Sequence, residues 1–415
     1  MAYPFSSFSA KALILLLLQL SSLFNSLTAK LEGITTHNSH HHHRTRSSDT
    51  NPRLHQAFLA LQAWKQVIYS DPKNYTTNWV GPSVCSYFGI YCAPSLDDPK
   101  LQVVAGIDLN HGDIAGFLPN ELGLLTDLAL LHLNSNRFCG ILPHSLANLS
   151  LLFELDLSNN RFVGPFPSVV LLLPKLSFLD LRFNEFEGPI PPQLFNRTLD
   201  AIFINSNRFT SIIPQNIGGK SASVIVFANN NFGGCLPPTI ASFANSLEEL
   251  LLMNTNLSGC LPQEVGFLYK LRVLDVSFNK LVGPLPYSLA GLAHLEQLNL
   301  AHNSLSGNLY EGLCNLPNLD NVTVSYNYFC EEEGICRNLT VKGVAVDDRR
   351  NCLPEKPLQR SKKECSAVVD NPVDCFEHPC GGGGGGGGGF GASIAAVPAS
   401  APISSTSSVV APTHS

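Results

Sequence analysis

Between residues 101 and 336 the apolar positions follow one phrase, written in its fourth copy by Leu176, Leu179, Leu181, Asn184, Phe186, Gly188, Ile190 and Pro191. It returns roughly every 24 residues. Alternation around Leu179 and Leu181 predicts a short strand, because side chains two apart share one face of an extended chain. The Gly-x-Ile-Pro ending then turns the chain back, so each copy makes one coil. A single coil has no partner face for its apolar residues except the next coil, so the copies must stack as a solenoid. Burying each leucine, isoleucine or phenylalanine of the phrase contributes roughly 1.5 to 3 kcal/mol, and only stacking achieves it.

The residue that ends each strand runs Gly112, Asn136, Asn160, Asn184, Asn207, Asn230, Thr255, Asn279, Asn303 and Asn327. An asparagine amide here can bond the backbone groups that the turn leaves unpaired, building a ladder from coil to coil. Gly112 and Thr255 are expected to break that ladder locally. The pattern defines an α/β solenoid of the plant-type leucine-rich repeat, with ten repeats. Such solenoids present an extended curved sheet suited to recognition.

Flanking patterns supply the ends. Asn51 and Pro52 open a helical pattern with Leu54, Phe58, Leu61, Trp64, Val67 and Ile68 on one face, an N-terminal cap over residues 51–100. Residues 337–380 form a cysteine-rich C-terminal cap. Ahead of the repeats, residues 1–29 read as a secretory signal peptide with the apolar run Ala12 to Leu20, too short to span a membrane, and no second long apolar run follows. Residues 30–50, with His37 and His40 to His43, and residues 381–415, with Gly381 to Gly389, lack the apolar content of a core. The histidine run has no fixed geometry, so no metal or other cofactor is expected.

Secretion changes how the cysteines read. Twelve of them in an exported chain form a disulfide framework. Cys85 and Cys92 bracket a short loop ahead of the first coil. Cys235 and Cys260 each follow the strand-ending residue of consecutive repeats by five, which places them side by side and predicts a bridge. Cys314, Cys330, Cys336, Cys352, Cys365, Cys375 and Cys380 crowd the C-terminal end with open connectivity. Cys139 is either a buried thiol or a bridge to a second chain. Asn74, Asn148, Asn196, Asn256, Asn321 and Asn338 open N-x-S/T sequons and are candidate glycosylation sites.

A net charge of -6 disfavours nucleic acid and anionic membranes as partners and suits a basic one. No catalytic motif stands out, and the chain is not expected to be an enzyme. The outward-alternating residues instead define a candidate binding face: Asp108, Asp156, Phe178, Asp180, Phe183, Phe203, Asn205, Met253, Asp275 and Phe278. Carboxylates would steer a cationic ligand, and exposed rings would anchor it. The competing reading is that an Asp in an L-D-L-S strand bonds its own neighbours.

Three runs, 153–162, 178–188 and 199–209, together with Asp347-Asp348-Arg349-Arg350-Asn351-Cys352-Leu353-Pro354, resemble the plant leucine-rich-repeat extensins across residues 50 to 380. The resemblance implies a cell-wall protein of the apoplast. It implies binding of basic, cysteine-containing rapid alkalinization factor peptides, a role in wall-integrity and growth signalling, and a tendency to homodimerise; wall polysaccharide and receptor kinases are further candidate partners. Asp156, Asp180, Phe183, Phe203 and Asn205 are the contact candidates it carries over. The chain departs from the family in lacking the Ser-Pro-Pro-Pro-Pro tail and in placing Cys330 where a threonine-glycine turn is usual. Two alternatives remain open: an enzyme inhibitor similar to the polygalacturonase-inhibiting proteins, and a structural wall component.

Overall fold

Strands of the repeat phrase pair in parallel within one twelve-stranded sheet, edged by the antiparallel cap strand Ile90–Pro94, that runs the length of the solenoid in a computed structural model describing residues 51–375 apart from Lys220. The expected signal peptide, histidine-rich segment and glycine-rich tail, and Cys380, lie outside the described residues. Register is strict from coil to coil, as in Leu155 opposite Leu179 and Glu154 opposite Phe178. Leu176, Leu179, Leu181, Phe186 and Ile190 are all buried, as the stacking argument requires. Phe162, Phe186 and Phe209 stack behind the sheet at 6.3 Å between successive ring centres.

The asparagine ladder is present and its chemistry is uniform. Asn184 Nδ2 donates to Leu157 O of the preceding coil at 2.9 Å and to Leu181 O of its own turn at 3.1 Å. Its Oδ1 accepts from Phe162 N at 3.0 Å. At Thr255 the shorter side chain reaches Leu252 O at 2.7 Å and Asn279 Oδ1 at 3.1 Å but no carbonyl of the preceding coil, and the amide N–H of Phe232 turns to the Thr255 carbonyl instead. Gly112 has no room for a rung, since a Cβ there would lie 2.9 Å from Asn136 Oδ1. The ladder and sheet also continue past the tenth copy. Ala345–Asp347 adds a strand beside Asn321–Thr323, and Asn351 makes the same set of bonds to Val324 O and from Phe329 N.

A second sheet lines the side of the coils and is less regular. Six strands run from Ile68–Ser70 to Arg208–Phe209, and four more run from Ser258–Gly259 to Tyr328–Glu332. The interruption falls on the coil of residues 229–256, where the Thr255 rung is also defective.

Caps close both ends of the core. The helix Pro52–Val67 starts where Asn51 Oδ1 accepts from Arg53 N and Leu54 N, and it buries Ala57, Ala60, Leu61 and Trp64. Trp64 packs on Trp79 and on Phe138 of the repeats, with ring centres 5.9 and 5.7 Å apart. Ile68, expected on the helix, instead starts a strand that pairs antiparallel with Ala115–Gly116. Among the described residues no helix is long and apolar enough to cross a membrane.

Cys85 and Cys92 are bonded as expected. The expected Cys235–Cys260 bridge is not formed. Cys260 pairs with Cys375, with Cα atoms 5.7 Å apart, and Cys235 is in a disulfide of its own. Two observations explain the difference. Gly233 and Gly234 both take left-handed backbone angles ahead of Cys235, within the interrupted part of the side sheet. Gly283, one coil beyond Cys260, leaves open the space that Cys375 fills, because a Cβ there would lie 2.3 Å from Cys375 Sγ. Cys314–Cys336 and Cys352–Cys365 staple the C-terminal coils. Cys139 and Cys330 are half-buried free thiols, with Cys139 Sγ 3.8 Å from the Tyr69 hydroxyl.

Candidate functional site: the outer face of the long sheet

Because side chains alternate along a strand, the residues flanking each buried strand leucine turn away from the core. Asp108, His132, Asp156, Asp180 and Phe203 therefore form one row across neighbouring strands. Each aspartate of this kind first serves its own turn. Oδ1 accepts the N–H two residues on, at 2.9 Å in Asp108, Asp156 and Asp275 and 3.0 Å in Asp180. What remains for a ligand is the second oxygen.

Neighbours decide whether that oxygen is reachable. Asp108 and Asp156 are half-buried on either side of His132, whose Nε2 lies 3.0 Å from the Glu154 carboxylate. Burial alone would lower the His132 pKa. The Glu154 hydrogen bond and the charges of Glu154, Asp156 and Asp108 reverse this and raise it above its ordinary value. Asp180 and Asp275, expected on the open surface, are buried at 0% and 2% exposure. Asp180 Oδ2 has the Arg182 guanidinium 2.9 Å away but no aligned donor, and burial with the nearby Asp156 charge pushes its pKa well up against the pull of Arg182. Asp275 Oδ2 is taken by Asn299 Nδ2 at 2.9 Å, and burial raises its pKa too.

The rings divide in the same way. Phe183 and Phe278 are each 50% exposed. Phe178 is half-buried against Phe203, with ring centres 5.6 Å apart. Phe203 itself corrects the expectation: it is buried, covered by Arg182 at 5.2 Å and Phe178. Asn205 is buried as well, its Oδ1 without a hydrogen bond, whereas Met253 is half-buried. The face therefore has an acidic end at Asp108, Glu154 and Asp156. Its middle is apolar, floored by Phe203, Val224, Val226 and Ala228.

Phe278, expected on this face, belongs to a third zone whose stacking the residue pattern did not reveal. Phe278, His302 and Tyr326 stack in a column, with centres 4.2 and 4.1 Å apart. They share one position in consecutive coils, the residue before the rung asparagine, and that spacing is the signal that finds them. Of the sequon asparagines, Asn74, Asn148, Asn196, Asn321 and Asn338 are exposed and Asn256 is half-buried. Asn321 opens a strand of the long sheet, so a sugar there would stand on this face.

Residues 127–149, 151–172 and 175–196 match one leucine-rich-repeat family, and 245–305 with 269–329 match another. Over 332 residues the chain is 58% identical to leucine-rich repeat extensin-like protein 6 of Arabidopsis thaliana, covering 80% of this chain and 70% of the relative. The chain belongs to the leucine-rich repeat extensin family. This extensin-family chain is also 63% identical over 333 residues to the pollen-specific leucine-rich repeat extensin-like protein 3 of the same plant, but spans only 46% of that relative's length. Among solved structures it resembles the Arabidopsis receptor kinase HAESA ectodomain in complex with an IDA peptide hormone. There it is 27% identical at a TM-score of 0.61, covering 73% of this chain and 50% of that one.

Proposed function

We propose that the chain is a secreted cell-wall protein whose long sheet binds basic, cysteine-rich signalling peptides of the rapid alkalinization factor type. The observation that supports this reading is the pairing of an acidic end with exposed aromatic anchors on one continuous sheet. Asp108, Glu154 and Asp156 supply charge that a cationic ligand neutralises, and half-exposed Phe178, Phe183 and Met253 supply apolar area next to it. The family membership and the resemblance to a peptide-hormone receptor ectodomain support the same direction. Asp180, Phe203, Asn205 and Asp275 have a different role, holding the shape of the sheet beneath the contact residues.

Calorimetry of the secreted chain with a panel of basic cysteine-rich peptides tests this reading. A complex with a Kd of about 1 μM or tighter, weakened at least tenfold by Asp156→Lys, is expected. No heat from any peptide at that concentration would sink it.

A further inference from the structure

The coil with the defective rung opens a hollow of about 440 Å³ at the edge of the long sheet. Two of its lining amides are spent: Asn230 and Asn279 are rungs with every group bonded inward. The others face outward. Asn254 uses only its Nδ2, on Asn229 at 3.0 Å, and the side chains of Asn231 and Asn256 make no hydrogen bond among the described residues. Lys280 is exposed and joins no ion pair among the described residues. Phe278 completes the wall, with His302 stacked on one face of its ring.

This combination is specific. Primary amides both donate and accept, as hydroxyl groups do, and a flat ring face suits the apolar side of a sugar ring. A free ammonium at the rim suits a carboxylate. The hollow lies where the fold is irregular, at the Thr255 rung and the gap in the side sheet, which is where solenoid-wide rules give way to local use. We propose that the hollow binds one acidic sugar unit of an extended oligosaccharide, with the ring on Phe278, hydroxyls on Asn231, Asn254 and Asn256, and the carboxylate on Lys280.

The test is a titration of the secreted chain with oligogalacturonides and with neutral cello-oligosaccharides of equal length. The acidic chain is expected to bind, with Lys280→Gln and Asn231→Ala each weakening it roughly tenfold while leaving the affinity for basic peptides unchanged. Absence of binding by either sugar overturns the proposal. Equal binding of both sugars, or no effect of Lys280→Gln, overturns the acidic assignment. Asn256 opens a sequon, so the variant Asn256→Gln is titrated in parallel and Asn256 is mapped by mass spectrometry. Sugar binding to that variant alone, with a glycan found on Asn256 of the wild type, would show that the hollow houses the chain's own glycan and would overturn an external ligand.

Discussion

Replacing Asn184 by alanine removes one rung and leaves the rest of its coil untouched, so it isolates what the ladder contributes. The Phe162 N–H, in a buried segment, would lose its acceptor at 3.0 Å. Leu157 O and Leu181 O would each lose one of two donors, keeping Asn160 Nδ2 at 3.1 Å and Asn207 Nδ2 at 2.9 Å respectively. An orphaned buried donor costs about 1–3 kcal/mol and a thinned carbonyl about 0.5 kcal/mol, so Asn184→Ala should destabilise by about 2–4 kcal/mol. Thr255→Val is the matched control, because it deletes only a hydroxyl that donates to Leu252 O at 2.7 Å or to Asn279 Oδ1 at 3.1 Å, leaves no buried N–H without an acceptor, and should cost about 1 kcal/mol. Urea unfolding followed by circular dichroism ranks the two, and hydrogen exchange locates the loss at the Phe162 amide. If Asn184→Ala cost no more than Thr255→Val, the ladder would be decoration on a core held by leucine packing alone.

Three further outcomes follow from the site and the staples. Cys260→Ser opens a loop of 115 residues, so stability should fall by up to about 4–5 kcal/mol; non-reducing peptide mapping that joins Cys260 to any partner other than Cys375 would refute the pairing. Asp180 has its pKa raised in the folded chain, so the native state holds a proton that the unfolded state releases, and stability declines as pH rises from about 4 through the raised value. Asp180→Asn should flatten that slope in pH-dependent unfolding, and an unchanged slope would mean the carboxyl is ionised in place. His132 has its pKa raised, so the stability it adds with Glu154 is full below about 6.5 and fades as pH rises through the higher folded value. Deprotonation also frees Glu154, so basic peptides should bind a few-fold tighter at pH 7.5 than at pH 5, and His132→Gln should bind with no such rise.

What the sequence made legible was whatever repeats. Strand positions and buried leucines recur ten times and asparagine rungs eight times, so an error in one coil is corrected by its neighbours, and a cap helix with Asn51 and Pro52 carries its own local signal. The candidate site was legible only by column. Asp156 and Asp180 occupy the same position in consecutive coils with the same local hydrogen bond, yet one is half-exposed and the other is buried, because only Asp180 lies beside Arg182 and Phe203. That cover comes from Arg182 of its own coil and Phe203 of the next, variable side chains that the repeat pattern does not specify. The Cys260–Cys375 link was illegible for another reason: it depends on an empty space at Gly283, and coil spacing alone favoured the nearer cysteine. Asn351 escaped notice as a rung since Asp348-Arg349-Arg350-Asn351 lacks the leucines that announce the other copies.

One backbone feature ties the ladder to the binding face. The residue before each rung has a left-handed φ in every coil, from His111 at 57° through Phe183 at 53°, Phe278 at 54° and Tyr326 at 60° to Arg350 at 59°. Asparagine and serine tolerate this geometry, but a phenylalanine or tyrosine there costs on the order of 1–2 kcal/mol. The conformation persists across such different side chains because the coil imposes it, through the strand before it and the bonded rung after it. A ring placed at this position is therefore held outward by the backbone, and little of its freedom remains to be lost when a ligand arrives. Each coil thus offers one position whose conformation is fixed and whose side chain is free to differ. His111, Phe183, Phe278, His302 and Tyr326 are where this chain has spent that freedom on rings, at a cost in stability that packing of its own core does not explain.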